Sequence, residues 1–141
     1  NNDTYVAWSW QTTKKATGLT NRGKTYTAHY NPGLGFSIVG FEGDGAEGHE
    51  IPHFLYKKTE LTLFKNRDSN NNWIVQTPLL NLTEYLHSNG TNGVLSFETV
   101  GTIFTDTTLD IGSNADYNKS TPTVVLELQV TMCLVGLKLV G

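Results

Sequence analysis

A chain of 141 residues has room for one domain, which at this size buries roughly two-thirds of the surface its unfolded form would expose. Apolar residues make up 38% and charged residues 16%, which excludes charge-rich disorder, and no apolar run approaches the ~18 residues that cross a bilayer. The formal net charge is −3 with Lys and Arg scattered, so neither nucleic acid nor membrane is expected as a partner.

The lone Cys133 can form neither an internal disulfide nor a thiolate metal site, so core burial must carry stability. The chain opens on Asn1-Asn2-Asp3, without an initiator Met or a signal-like segment, and is expected to be a fragment of, or module in, a longer polypeptide. Thr and Asn together are nearly a quarter of the residues, beside 14 Gly, a mixture that favours strands and turns.

In chain order, Tyr5 to Trp10 reads as a first strand and residues 11 to 25 as a polar exposed loop or wide hairpin. Tyr26 to Tyr30 is a short strand; Asn31-Pro32-Gly33 is a turn leading into the strand Phe36 to Phe41. Glu42 to Gly48 is too Gly-rich to pack and reads as a surface loop. Leu61 to Lys65 and Trp73 to Gln76 form a hairpin across the Asn-rich stretch 66 to 72. Leu79 to His87 is a strand, alone or after one helical turn, and Asn89-Gly90 and Asn92-Gly93 are turn signals beyond it. Val94 to Phe97, Ile103-Phe104 and Leu109 to Ile111 are further short strands. Thr123 to Val130 alternates, with Val124, Leu126, Leu128 and Val130 on one side and Glu127 and Gln129 on the other. The apolar tail Cys133 to Gly141 is expected to pair, within the domain or with another subunit. Eight to ten short strands with regular turn signals and no repeat predict a single all-β domain over residues 1–141. The expected architecture is a two-sheet antiparallel β-sandwich, jelly-roll-like.

Chemistry-bearing motifs are weak. His49 and His53 stand beside Asp44, Glu47 and Glu50, but Pro52 lies between them and denies the helical spacing a metal pair needs; loop histidines satisfied by backbone are the favoured reading. Residues 66–72 and 110–116 space oxygen-bearing side chains as calcium loops do, with Asp110 and Asp116 as metal ligands, yet neither reaches a distal Glu, and Asx turns explain both more simply. Apart from a structural Ca²⁺ there, no cofactor is expected. Glu42, Glu50, Glu98, Asp106 and Glu127 form no paired-carboxylate pattern, no Gly-x-Ser-x-Gly elbow is present, and no catalytic residue is assigned. Gly43-x-Gly45-x-x-Gly48 matches a dinucleotide fingerprint by letter but is not expected to open a helix.

Aromatics are the better functional lead. Trp8, Trp10, Trp73, Tyr56 and Tyr85 offer flat faces for sugar rings, against the competing reading of a core aromatic cluster, which is favoured for Trp8 and Trp10. Trp73 and Tyr85 are taken as stacking surfaces, with Asp68, Asn70 and Asn71 as loop hydrogen-bonders. Asn-x-Ser/Thr triplets begin at Asn2, Asn81, Asn89 and Asn118, and matter only in a eukaryotic secretory route.

Several segments in order resemble a SPRY-like, concanavalin A-like β-sandwich repeat of marine bacteriophage tail and fibre proteins. Tyr5-Val6-Ala7-Trp8-Ser9-Trp10 is similar to its closing strand, and Gly35 to Val39 followed by Gly43-x-Gly45-x-x-Gly48-His49 to its opening strand and Gly-rich loop. Leu61 to Phe64, then Lys65-Asn66-Arg67 and Asn72-Trp73, resembles the most recognisable block. Phe54-Leu55-Tyr56-Lys57-Lys58 departs from the repeat's Gly-Leu-Gly-x-x-Pro turn, and Thr123 to Gly141 replaces its second Tyr-Val-Ala-Tyr. The resemblance implies a non-catalytic virion surface module of a tail fibre, spike or capsid decoration. Its implied partners are other virion proteins and host cell-surface polysaccharide, and its implied state a homo-oligomer, trimer favoured. A glycan-degrading depolymerase is the alternative.

Overall fold

A computed structural model describes residues 9–119 in full and residues 124–130 as backbone. Tyr5 to Trp8, Asn2 and the tail from Cys133 therefore lie outside the described residues. All regular structure among the described residues is β. The strands are β1 (Lys14–Leu19), β2 (Thr25–Asn31), β3 (Phe36–Glu42), β4 (His49–Pro52), β5 (Thr62–Asn66), β6 (Ile74–Gln76), β7 (Glu84–His87), β8 (Leu95–Ser96), β9 (Ile103–Phe104), β10 (Thr108–Ile111) and β11 (Val124–Val130). Among these residues no helix is long and apolar enough to cross a membrane.

Every pairing is antiparallel. One sheet of eight strands runs β1-β2-β3-β11-β5-β6-β7-β8, and a second of three runs β4-β10-β9. The first three strands form a meander, with Ala16 opposite Ala28 and Ala28 opposite Val39. β11 then enters between β3 and β5, its Glu127 in register with Val39 on one side and Phe64 on the other. The last described strand thus joins two meanders made much earlier in the chain.

Alternation on β3 decides which face is inside. Ser37, Val39 and Phe41 are buried on one face, continued by Ala28 on β2, Phe64 on β5 and Ile74 on β6. Ile51 on β4 and Leu109 and Ile111 on β10 belong to the same apolar cluster, so the small sheet covers this face of the large one. Each fully buried Phe, Leu or Ile contributes about 1.5–3 kcal/mol relative to exposure. Rings run through the cluster in contact: Phe64 on Tyr117 at 4.8 Å, Tyr117 against Phe97 at 5.7 Å, and Phe97 on Tyr85 at 4.0 Å. On the other face of β3, Phe36 is buried beneath Trp10, the rings stacked at 5.4 Å.

Two local expectations are corrected, and a third is decided between its alternatives. Of the loop and the wide hairpin read for residues 11 to 25 the hairpin is found: they contain β1, paired with β2, and the polar composition of β1 suits an outer edge, where charge discourages pairing with another chain. His49 opens a strand rather than sitting in a loop. The Gly-rich stretch from Glu42 to Gly48 is packed: Gly43 is buried, and a Cβ there would stand 2.7 Å from the Lys119 carbonyl, closer than side chains approach backbone.

Phe54 and Tyr56 have φ of 60° and 56°, the left-handed region that disfavours side chains by about 1–2 kcal/mol. Phe54 recovers this by stacking on Tyr30 at 4.8 Å, whereas the Tyr56 side chain is exposed. Tyr56→Gly is therefore expected to stabilise the domain by about 0.5–1 kcal/mol, once the extra chain entropy of glycine is set against the relieved strain. Urea midpoints compare the variants; a lower midpoint for Tyr56→Gly than for the parent refutes the expectation.

Candidate functional site

The end of the large sheet where β5 turns into β6 gathers the Asn-rich loop. Lys65 extends over it and its Nζ donates to the carbonyls of Ser69, at 3.0 Å, and Asn71, at 2.7 Å, which fixes the loop's path. Asn66 Oδ1 accepts from the Asp68 amide at 3.0 Å, an Asx turn. Two other loops close on it. Asn71 Nδ2 donates to Asp116 Oδ1 at 2.8 Å, while Asn89 takes the Trp73 amide on its Oδ1 at 3.0 Å and gives its Nδ2 to Asn72 Oδ1 at 3.1 Å. The result is a rim of carboxamides around a half-buried Trp73, held in place by bonds spanning up to 45 residues.

Of the residues singled out from sequence, Trp73 and Asn71 are half-buried on the rim, and Asn70 and Asp68 are exposed on it. Tyr85 stands on β7, two residues before His87, but one face of its ring is taken by Phe97, and burial raises its hydroxyl pKa, with Asp116 adding to the effect. Asp110 lies within β10 opposite Glu50 and Ile103, not in a loop, and Asp116 is engaged by Asn71. Among the described residues no group of three or more His, Cys, Asp or Glu is arranged to hold a metal ion. Asn81 and Asn89 are exposed, whereas Asn118 is wholly buried, so its triplet is closed to modification in the folded domain.

A second polar cluster brings together two members of the His and acid group read from the sequence, His49 and Asp44, with Thr20, which no sequence pattern singled out. Thr20, in the turn after β1, lies 2.9 Å from His49 Nε2, and His49 Nδ1 lies 3.5 Å from Asp44 Oδ1. Hydroxyl, imidazole and carboxylate in that order are the components of a nucleophilic triad. Here they form a clamp instead. Thr20 Oγ1 already accepts the amides of Arg22 and Lys24, each at 3.3 Å, which directs its proton to His49 Nε2 and leaves the imidazole proton on Nδ1, facing Asp44. His49 is fully buried and Thr20 is 8% exposed, so the pair lies beneath the surface. Arg22 closes the outside, its Nε 3.7 Å from Asp44 Oδ2 and its Nη2 donating to the Glu47 carbonyl.

Asn118 secures the same loop from below. Its Oδ1 accepts the amides of Asp44 at 2.9 Å and Gly45 at 3.2 Å, and its Nδ2 donates to the carbonyls of Ala46 at 2.9 Å and Gly112 at 2.8 Å. The Gly43-x-Gly45-x-x-Gly48 pattern therefore cradles a side chain of this chain and leads into β4, a strand.

Burial holds His49 below the ordinary histidine value of 6.5, in spite of Asp44, and holds His53 below it as well, against the opposing pull of its bond to the Thr105 carbonyl. Both gain protons more readily unfolded than folded. Their contribution to stability is thus complete above about 6.5 and is lost as pH falls through and below that value. The urea midpoint is expected to drop between pH about 7.5 and about 5, with a shallower drop for His49→Gln. A midpoint that holds or rises over this interval contradicts the assignment.

Fold and site together define an all-β domain whose differentiated surface is built from loops at the ends of its strands. The family model described as "Domain of unknown function (DUF7483)" matches residues 1–126, and the chain belongs to that family. No curated protein and no solved structure matches it.

Proposed function

We propose that this domain is a non-catalytic module of a bacteriophage particle, a concanavalin A-like or SPRY-like sandwich at the virion surface, that recognises host polysaccharide through the rim around Trp73. The observation that carries the reading is the cross-bonded set Asn71–Asp116, Asn72–Asn89 and Asn89–Trp73. Carboxamides whose positions are already fixed offer donors and acceptors to sugar hydroxyls at little further entropic cost, beside an indole that supplies apolar area.

The likeness to the phage repeat draws support from the backbone. The repeat has glycine at the first and third positions of its Gly-Leu-Gly turn, where this chain has Phe54 and Tyr56, and these are the two non-glycine residues with positive φ among the described residues. A turn conformation suited to glycine is retained here by other side chains. In a fibre or spike the domain would assemble as a homo-oligomer, with a trimer favoured.

Binding of the intact chain to immobilised host polysaccharide tests the reading. Trp73→Ala and the exposed Asn70→Ala are each expected to weaken retention at least tenfold, the latter without moving the melting temperature. Unchanged retention in both refutes the rim as the site. Release of reducing sugar from the same polysaccharide replaces the binding module with a depolymerase.

A further inference from the structure

The connection between β7 and β8 carries two Asn-Gly pairs, Asn89-Gly90 and Asn92-Gly93, and no other Asn in the chain is followed by Gly. Glycine in that position matters because, without a Cβ, its backbone nitrogen can swing over the preceding carboxamide. Both asparagines are exposed, yet the fold treats them oppositely. Asn89 is clasped at both ends of its carboxamide: Oδ1 accepts from the Trp73 amide at 3.0 Å, and Nδ2 donates to Asn72 Oδ1 at 3.1 Å. Asn92 makes no side-chain hydrogen bond among the described residues, and the backbone groups of Thr91, Asn92 and Gly93 make none either. Gly93 borders open space, since a Cβ built there meets nothing within 4 Å. The strand that follows, β8, has two residues, ends the large sheet and pairs with β7 alone. A change of chain path at Asn92 therefore disturbs little beyond the loop.

We propose that Asn92 is a self-modification site: the fold leaves this Asn-Gly pair free to close to a succinimide and reopen as aspartate or isoaspartate, while it locks the pair at Asn89. In the closing step the Gly93 backbone nitrogen gives its proton to hydroxide and bonds to Asn92 Cγ. The Cγ–Nδ2 bond breaks, and Nδ2 takes a proton from water and leaves as ammonia. Water then opens the ring. Attack at Cγ breaks the new bond and yields aspartate; attack at the Asn92 main-chain carbonyl carbon breaks its bond to the Gly93 nitrogen and routes the chain through Cγ, which is isoaspartate. One water is consumed and one ammonia released, with no change of oxidation state. Asn89 requires the same motion of its carboxamide but must first give up both of its bonds, which reach across 16 and 17 residues. Losing two such bonds slows closure by about tenfold or more. Conversion at Asn92 adds a negative charge to a chain already at −3, and the bonds that hold Asn89 to the rim stay intact. The inference uses the geometry of the rim and does not depend on its binding a sugar.

The test incubates the full chain at mildly alkaline pH and follows both pairs by peptide mapping and mass spectrometry, with released ammonia as a second readout. Asn92 is expected to convert about tenfold faster than Asn89, or more, in the folded chain, and the two rates to converge in concentrated urea, where neither carboxamide is held. Gly93→Ala, whose added methyl enters open space, is expected to slow conversion at Asn92 by about tenfold or more with an unchanged melting temperature. Asn72→Ala removes the acceptor of Asn89 Nδ2 and is expected to speed conversion at Asn89 while leaving Asn92 as it was. The proposal is overturned by folded-state conversion at Asn89 that matches or exceeds Asn92, or by an Asn92 that stays intact while the unfolded chain converts. It is equally overturned by a preference for Asn92 that persists undiminished in urea, which would assign the preference to sequence and not to the fold.

Discussion

Asn118→Asp is expected to destabilise the domain by about 3–5 kcal/mol at neutral pH, lowering the melting temperature by roughly 10 °C or more. The substitution conserves shape and the Oδ1 acceptor that holds the amides of Asp44 and Gly45. It replaces the Nδ2 donor with an oxygen facing the carbonyls of Ala46 and Gly112, in a position with no exposure. Two acceptors lose their donor, and a buried carboxylate is added beside Asp44. The proton returns one donor, so the folded state binds it more tightly than the unfolded chain, where an Asp titrates near 3.9. With the folded pKa raised, the penalty is greatest at neutral pH and shrinks as pH falls through that raised value. Parent and variant carry the same histidines, whose loss on acidification cancels in the comparison, so the introduced carboxyl is expected to narrow the gap between the two urea midpoints from pH about 7 to about 4. Asn118→Ala, which adds no charge, is the control: its gap should not close on acidification. A constant gap for Asn118→Asp would mean that the loop relaxes and wets this side chain.

The strands whose identity is local were legible, and those whose identity is tertiary were not. Phe36 to Phe41 and Leu61 to Lys65 alternate strongly because each has one face in the core, and they appear as β3 and β5. His49-Glu50-Ile51-Pro52 offers a single aliphatic residue between a histidine and a proline, and its strand character comes from pairing with β10, more than fifty residues onward. β1 has no buried face, so periodicity had nothing to report there. The site divides the same way. Trp73 and its Asn-rich loop announced themselves by composition, while the bond from Asn71 to Asp116 joined two loops read separately, one as a ligand loop and the other as a cation loop. Asn118 carried no structural signal beyond an Asn-x-Ser triplet in an Asx-rich context, since its role depends on the amides of Asp44 and Gly45 more than seventy residues earlier in the chain.

Leu128→Pro carries the largest expected effect, because the order of the large sheet is decided by β11. Leu128 is in register with Ile38 of β3 and with Leu63 of β5, so its backbone lies in the middle of a strand paired on both sides. Proline there removes a ladder donor and forces a φ that central strands do not adopt, at a cost of about 3 kcal/mol or more before any loss of packing. The consequence extends beyond one bond. Without β11, β3 and β5 become two open edges, and the meander β1-β2-β3 is separated from β5-β6-β7-β8. Exposed edges of that length template association between chains. The variant is therefore expected to lose the cooperative thermal transition and to accumulate as aggregate. Thr17→Pro in β1, at the outer edge of the same sheet, is expected to remain folded with a lowered midpoint. Comparing the two by thermal unfolding and size-exclusion chromatography isolates the central position of the strand from the general intolerance of strands to proline. Equal effects at Leu128 and Thr17 would remove β11 from the middle of the sheet.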